Sequence, residues 1–286
     1  MADSKSIPRS EPRVVLLKPP SGWTALRLGD LWLYRELVYF MTWRDLKVRY
    51  KQTVLGASWA VLRPFLSMVV FSIFFGGFAK VSSDGVPYPL FSFAGLLPWE
   101  LFATALGVAS RSLVNNSNMI TKVYFPRLIL PLSSILAALV DFLIAFVVML
   151  GLMLYYRWPL SPYFWTLPLF LLLAVVTALG VSLWLSALNV QYRDVGYVTP
   201  FLTQFWLFIS PVVYPLSMVT NETLRFLMAL NPMTGAVEGF RWALLGASQQ
   251  QAPGSILMIS SAVAVVLLVT GMFYFHRMER VFADMI

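Results

Sequence analysis

Long stretches without charged side chains constrain the fold of this chain more than any other feature. Charge-free stretches cover residues 158–192, 195–221 and 242–276, and stretches with one charge each cover 52–79, 85–110 and 128–156. A helix of roughly 20 residues crosses the hydrocarbon core of a bilayer. Because every backbone polar group must be satisfied inside that core, each stretch predicts a membrane-spanning helix.

The pattern predicts an all-α polytopic membrane protein with six transmembrane helices. The predicted spans are 57–79, 89–111, 129–154, 164–189, 197–216 and 255–275. An even number of spans places both termini on one side of the membrane. If that side is the cytoplasm, 17 Lys and Arg residues lie inside and four lie outside. Cytoplasmic flanks carry the excess of basic residues, so cytoplasmic termini are predicted.

Composition favours lipid over water or nucleic acid as the surroundings of the chain. Only 12% of its residues are charged, whereas soluble domains carry about 25%. The formal charge is +8, but 10 of the 21 Lys and Arg residues precede residue 52. This clustering predicts a cytoplasmic flank, and no nucleic acid partner is expected. With no cysteine and one histidine, no metal site is expected.

The first predicted span is preceded by an amphipathic helix. The predicted units are a cytoplasmic tail (1–30), this helix (31–56), a transmembrane domain (57–275) and a second cytoplasmic tail (276–286). At about 100° per residue its aromatic side chains fall on one face, and a basic strip lies beside them. The aromatic residues are Trp32, Tyr39, Trp43 and Tyr50, and the basic residues are Arg44, Lys47 and Lys51. This arrangement suits a helix in the headgroup layer; a soluble helix packed on the cytoplasmic mouth is the alternative.

Three charges lie inside predicted spans. Arg63 lies near the cytoplasmic entrance of the first span. Its side chain can reach back to the interface, or it can attract a phosphate at the membrane face. Glu100 and Asp141 lie near the middle of the second and third spans. They either hold these two spans in register or take part in proton or substrate movement.

The segment between spans five and six, 217–248, is apolar but interrupted at Asn231-Pro232. Each half carries a charge pair at i, i+3, which places both charges on one helix face. The pairs are Glu222 with Arg225 and Glu238 with Arg241. Two short helices that dip back toward the outer membrane face, with their charges internally paired, fit this pattern.

Nucleotide-binding and hydrolase motifs are absent from the sequence. The run nearest to a phosphate-binding loop, "GGFAKVSS" at 76–83, has the wrong spacing and ends a predicted span. No H-E-x-x-H or G-x-S-x-G pattern is present either. Transport work by this chain would therefore draw on an ion gradient or on another polypeptide.

The loop between spans two and three is predicted to be a docking surface. Asn116, Ser117 or Asn118 is expected to cap a short helix running to about Tyr124, and Pro126 blocks its extension. The predicted docking residues are Asn116, Ser117, Asn118, Met119, Ile120, Thr121, Lys122, Val123 and Tyr124. Exposed apolar patches of this kind mark partner sites; a turn buried against lipid headgroups is the alternative.

Several motifs occur in a characteristic order. They are "RDLKVRYKQTVLGASWAVLRP" (44–64), "LLPWELF" (96–102), "SNMITKVYFPRLILP" (117–131), "LNVQYRDVGYV" (188–198), "SPVVYP" (210–215), "LNPMTG" (230–235) and "RVFADMI" (280–286). Together they resemble the permease subunits of ABC exporters for lipid-linked polysaccharides of the O-antigen, capsule and teichoic-acid type. The resemblance covers about residues 30–286.

The resemblance implies a homodimer in the bacterial cytoplasmic (inner) membrane, with six spans per copy. Each copy would dock one separate ATPase subunit, which binds ATP and magnesium, so no cofactor is expected in this chain. The loop at 116–124 would carry the coupling helix, 31–51 the gate helix, and 217–248 re-entrant helices. The substrate path would run between the two copies.

The implied activity is export of an undecaprenyl-diphosphate-linked, O-antigen-like polysaccharide. Phe201, Phe205 and Phe208 share one face of span five and are candidates to line the path. Arg63 and the basic strip are candidates to bind the lipid diphosphate. The alternatives are an ABC permease for a drug or other small molecule, and a membrane-embedded enzyme that acts on polyprenyl-phosphate lipids.

Overall fold

All regular elements in the described part of the chain are helices. The computed structural model describes residues 28–51, 53, 56–246 and 254–285. Most of the tail predicted at 1–30 lies outside the described residues. The helices are α1 (Leu28–Leu33), α2 (Arg35–Tyr50), α3 (Trp59–Phe71, continued as a π-helix over Ser72–Phe78), α4 (Tyr88–Ala109), α5 (Ser112–Asn115), α6 (Ser117–Lys122), α7 (Ile129–Tyr155), α8 (Leu167–Gln191), α9 (Val195–Ile209), α10 (Glu222–Ala229), α11 (Pro232–Leu245), α12 (Gly254–Glu279) and α13 (Phe282–Met285).

Within the described residues, five helices are long and apolar enough to cross a membrane. They are Trp59–Phe78, Tyr88–Ala109, Ile129–Tyr155, Phe164–Gln191 and Gly254–Glu279. The remaining predicted span, 197–216, is represented by α9, which has 15 residues and ends at Ile209. Ser210 is extended (φ −88°, ψ 144°) and precedes Pro211. Proline disfavours the helical conformation in the residue before it, which explains why α9 stops there.

Helix α4 forms the centre of the bundle and packs against α7, α8 and α11. Helices α8 and α12 approach each other closely where Gly180 meets Gly271. A Cβ atom added to Gly271 would lie 2.5 Å from the carbonyl oxygen of Gly180. Any side chain at this crossing would therefore force the two helices apart.

A second apolar cluster joins α6, α13 and the neighbouring ends of α7, α8 and α12. Phe282 of α13 and Leu113 of α5 are fully buried in it, and Ile120 and Phe125 insert from the loop around α6. Inner side chains of α1 and α2, such as Leu37 and Met41, pack against the same cluster. We call this end of the bundle the α6 end.

Helices α10 and α11 lie at the other end of the bundle, and the predicted break between them at Asn231-Pro232 is confirmed. The side chains of Asn221 and Asn231 cap the two helices; Asn231 accepts from the backbone N–H of Met233 at 3.0 Å. Every residue of α11 except Trp242 is buried, because α11 packs against α4, α8 and α12. These caps explain why an apolar segment forms two helices and not one.

Only one of the two charge pairs predicted in this segment forms. The guanidinium of Arg241 donates to Glu238 at 2.9 Å, and both side chains are buried. Glu222 and Arg225 are exposed on α10, and no ion pair joins them in the part of the chain described. The prediction of an internal pair on α10 is wrong, because two solvated side chains gain little from pairing.

Candidate functional site

A cavity of about 360 Å³ lies where the end of α2 meets α3, α4 and α7. Its lining includes all three charges that the sequence places inside spans, namely Arg63, Glu100 and Asp141. Arg49 and Tyr50 of α2 also line it. In the sequence these three charges lie in three separate predicted spans, and the fold brings them together at a single polar site.

Asp141 is held from both sides by the end of α2. The guanidinium of Arg49 donates to one carboxylate oxygen, and the hydroxyl of Tyr50 donates to the other. Burial and the carboxylate of Asp141 raise the pKa of Tyr50 to about 12, so its hydroxyl stays protonated at neutral pH and remains a donor. These contacts fix the end of α2 against α7.

Arg49 is a site residue that the sequence reasoning missed. It lies in the basic run that precedes the first span, between Lys47 and Lys51 of the predicted basic strip. The available signal was Asp141, because a carboxylate inside a predicted span requires a cationic or hydrogen-bonding partner. Local periodicity gave no reason to choose Arg49, which is 92 residues away in sequence.

Arg63 and Glu100 face the same cavity, close enough for each to feel the other's charge. Arg63 is exposed and Glu100 is half-buried, and neither makes a hydrogen bond or an ion pair there. Thr104 and Trp59 add a hydroxyl and an aromatic ring to the lining. The cavity therefore offers one cation and one carboxyl group whose hydrogen-bonding capacity is unused.

The outer face of the predicted gate helix carries exposed aromatic side chains. Trp32 on α1 and Tyr39 and Trp43 on α2 are all exposed. The ammonium of Lys47 lies 5.5 Å from the ring centre of Trp43, so aromatic and basic groups are adjacent. Two predicted members differ from the rest: Tyr50 turns toward Asp141, and Arg44 forms an ion pair with Asp45 at 2.8 Å. Lys51 follows α2 and is exposed.

The predicted docking loop contains the short helix α6, which ends earlier than expected. Lys122 is its last residue, and Val123 is extended (φ −131°, ψ 134°). None of the three candidate capping side chains, Asn116, Ser117 and Asn118, caps this helix in the described structure. Asn116 instead donates its side-chain amide to the carbonyl of Ser112 at 2.7 Å.

The exposed part of this loop is smaller than predicted. Ile120 is buried, and Met119 is half-buried against the cluster at the α6 end, so the prediction of an exposed Ile120 is wrong. Ile120 points inward because the neighbouring elements α7, α12 and α13 supply an apolar cluster. The outward surface consists of Asn118, Thr121, Lys122, Val123 and Tyr124.

The loop after α6 is fastened to the end of α12. Glu279 accepts a hydrogen bond from the backbone N–H of Arg127 at 3.2 Å, and its carbonyl accepts another from the Arg127 guanidinium. The second carboxylate oxygen of Glu279 lies 3.2 Å from Nδ1 of His276. Glu279 thus connects the C-terminal helix to the loop that carries α6.

The phenylalanine face of α9 is exposed along its length. Phe201, Phe205 and Phe208 are each more than half exposed, and the ring centres of Phe201 and Phe205 lie 4.7 Å apart. The exposed side of α3, including Phe74 and Phe78, is also apolar. Both faces lack a covering element within the described part of one chain.

Residues 36–245 match the family of ABC-2 type transporter membrane proteins. The chain belongs to this family. Its match to the ABC-2 family covers the cavity, the α6 loop, α9 and α11, whereas Trp32 on α1 and the His276 and Glu279 side chains on α12 lie outside it.

Relatives with named functions match 71–90% of the chain. The chain is 34% identical to the O-antigen export system permease protein RfbA of Myxococcus xanthus, over 90% of this chain and 98% of that protein. It is 27% identical to the RfbA protein of Klebsiella pneumoniae, over 88% and 95% of the two chains. The polysialic acid transport protein KpsM of Escherichia coli is 26% identical over 71% and 78%.

Membership of the ABC-2 family makes the chain a multi-pass membrane subunit of an ABC transporter, which is not itself an enzyme. The family implies a separate ATPase as the partner.

Proposed function

We propose that this chain is the permease of an ABC exporter that moves an undecaprenyl-diphosphate-linked, O-antigen-like polysaccharide across the cytoplasmic (inner) membrane. The observation that carries this proposal is the similarity to an O-antigen export permease along 98% of that protein's length. A separate ATPase subunit, which binds ATP and magnesium, drives the transport.

The proposed topology has six crossings with both termini in the cytoplasm. Helix α9 and the non-helical segment after Ile209 together make the fifth crossing. The α6 end faces the cytoplasm, which agrees with the basic residues Arg111, Lys122 and Arg127 in its loop. Helices α10 and α11 re-enter the membrane from the outside, a position supported by the burial of α11 among α4, α8 and α12.

The transporter is proposed to be a homodimer with the glycan path between the two copies. A second copy would cover the exposed apolar sides of α3 and α9, which no element of the described chain covers. Phe201, Phe205 and Phe208 would then line the path. Their flat, apolar rings suit the C–H faces of sugars and offer few hydrogen bonds to hold a moving chain.

The ATPase is proposed to dock on α6 and the residues that follow it. Lys122, Val123 and Tyr124 present a cation and two apolar side chains on a surface that the α6-end cluster and Glu279 support from beneath. Helix α2 is the proposed gate helix, lying in the headgroup layer with its aromatic face toward lipid. Its basic strip and Arg63 attract the lipid diphosphate.

Co-purification with the cognate ATPase, followed by an ATPase assay in nanodiscs, tests this function. We expect a stable complex whose ATP hydrolysis rises when an undecaprenyl-diphosphate-linked glycan is added. The matched control is the ATPase alone with the same lipid, which should show no rise. ATP hydrolysis by the purified chain without its partner would contradict the assignment, as would a complex that ignores every lipid-linked glycan.

A further inference from the structure

Resting on the proposed function, we propose that the 360 Å³ cavity binds the junction between diphosphate and first sugar of the lipid-linked substrate. Arg63 binds the diphosphate, and Glu100 accepts a hydrogen bond from a hydroxyl of that sugar. Cavities of about 300–1,000 Å³ with apolar walls and a few convergent polar groups are typical of small-ligand sites. This cavity has that size and that mixture of groups.

The side chain that binds the diphosphate is identified by which charged groups in the cavity already have hydrogen-bond partners. Asp141 accepts from Arg49 and Tyr50, so its two oxygens are engaged, and Glu100 is the carboxyl group that shares the cavity and an electrostatic interaction with Arg63. Arg63 has no ion-pair or hydrogen-bond partner in the described chain and is exposed at the cavity. A guanidinium with free N–H groups binds phosphate oxygens with two parallel hydrogen bonds.

Glu100 supplies the complementary half of the site. An ionised carboxylate only accepts hydrogen bonds, and a diphosphate that is esterified at both ends has no hydroxyl to donate. Like charges also keep the phosphates away from Glu100. Sugar hydroxyls are donors, so they match Glu100, and the ring of Trp59 adds an apolar surface for the C–H face of the sugar. The substrate is therefore bound with phosphates toward Arg63 and sugar toward Glu100.

This arrangement makes the site selective for a glycosylated lipid. A polyprenyl diphosphate without sugar would reach Arg63 but would leave Glu100 unpaired beside added negative charge. Selection at this point would keep the bare lipid carrier, which remains after the glycan has been removed, from entering the transporter. Hydrogen bonds to charged groups are strong enough for a preference of about tenfold.

The test uses the intact complex of permease and ATPase in nanodiscs, with ATPase stimulation as the readout. The probes are a polyprenyl diphosphate that carries one N-acetylhexosamine and the same lipid diphosphate without a sugar. We expect the unmodified complex to need about tenfold less of the glycosylated probe for half-maximal stimulation. Glu100→Leu should reduce this preference to within about twofold, and Arg63→Met should weaken both probes about tenfold.

A conservative variant of Arg63 and two variants remote from the cavity serve as controls for this test. Arg63→Lys retains the charge without the two-pronged geometry and should recover part of the affinity for both probes. Glu222→Leu and Arg225→Met, which change exposed residues of α10 outside the cavity, should leave both responses unchanged. A complex that does not distinguish the probes, or a Glu100→Leu variant that still does, would overturn this inference and leave the exporter assignment intact. Failure of both probes and of the complete glycan to stimulate the complex would instead reject the proposed function.

Discussion

Arg241 provides the sharpest test of how the end of this bundle opposite the α6 end is held together. Its guanidinium donates to Glu238 at 2.9 Å and to the carbonyl oxygens of Pro211 and Val212 at 3.1 and 2.9 Å. It also stacks 3.7 Å from the ring centre of Phe91. The residue is 1% exposed. It therefore joins α11, α4 and the non-helical chain that follows α9.

The expected loss for Arg241→Met is large because three acceptors lose their donor at once. Removing one partner of a buried ion pair costs about 3–5 kcal/mol, since the remaining charge stays buried without compensation. In the double variant Glu238→Leu/Arg241→Met the unpaired carboxylate is also gone, and only the two carbonyl groups remain unsatisfied. Apolar replacement of a whole buried pair is often neutral. The double variant should therefore be clearly more stable than the single variant.

Thermal unfolding of the purified protein in detergent, followed by size-exclusion fluorescence, measures this difference. A loss of 1 kcal/mol lowers the midpoint by roughly 2–4 °C in a domain of this size class. Arg241→Met should thus lower the midpoint by about 10 °C, and the double variant should recover at least half of that loss. Arg225→Met, on the exposed helix α10, is the matched control and should stay within about 1 °C. A single variant as stable as the original chain, or a double variant no better than the single, would refute the reasoning.

Three further predictions concern the α6 end and the helix crossing. Lys122→Glu should reduce glycan-stimulated ATP hydrolysis about tenfold or more while the thermal midpoint stays unchanged, because Lys122 is exposed; normal export would exclude the loop as the ATPase contact. Glu279→Leu removes the carboxylate that accepts from the backbone N–H of Arg127 and should weaken ATPase co-purification several-fold, whereas equal recovery of the partner would show that this contact has no part in docking. Gly271→Val should lower the midpoint by about 10 °C because its side chain meets Gly180, while Gly254→Val, which has open space, should not; equal midpoints would contradict the packing.

Much of the helical architecture is predictable from the spacing of charges alone. Five of the six predicted spans correspond to helices of crossing length in the described residues. The exception is the predicted span 197–216, where hydropathy does not reveal that the helix ends. The chain stays apolar after Ile209, but it leaves the helix because Ser210 precedes a proline and because Arg241 satisfies the freed carbonyl groups of Pro211 and Val212. Hydropathy reports burial and not backbone conformation.

The sequence identifies several residues of the candidate site, but it does not show that they lie together. Arg63, Glu100 and Asp141 stand out because each interrupts an apolar stretch. Their convergence on one cavity depends on the packing of α3, α4 and α7, for which a single sequence holds no signal. The prediction of an exposed Ile120 is wrong for the same reason: its burial depends on α7, α12 and α13, the last of which is more than 150 residues away, and not on its neighbours in the loop.

The glycine contact between α8 and α12 has a mechanical consequence. The backbones of α8 and α12 are in contact at Gly180 and Gly271, so the two helices cannot slide past each other without a steric clash. We therefore expect them to move as one rigid body. At one end of α12, Glu279 accepts a hydrogen bond from the α6 loop. Toward the other end, the hydroxyl of Ser260 donates to the carbonyls of Ala229 and Asn231 beside α11. If the ATPase docks on the α6 loop as proposed, a push on that loop would reach α11 at the other end of the bundle by rigid rotation of this helix pair, with no change in secondary structure between the two ends.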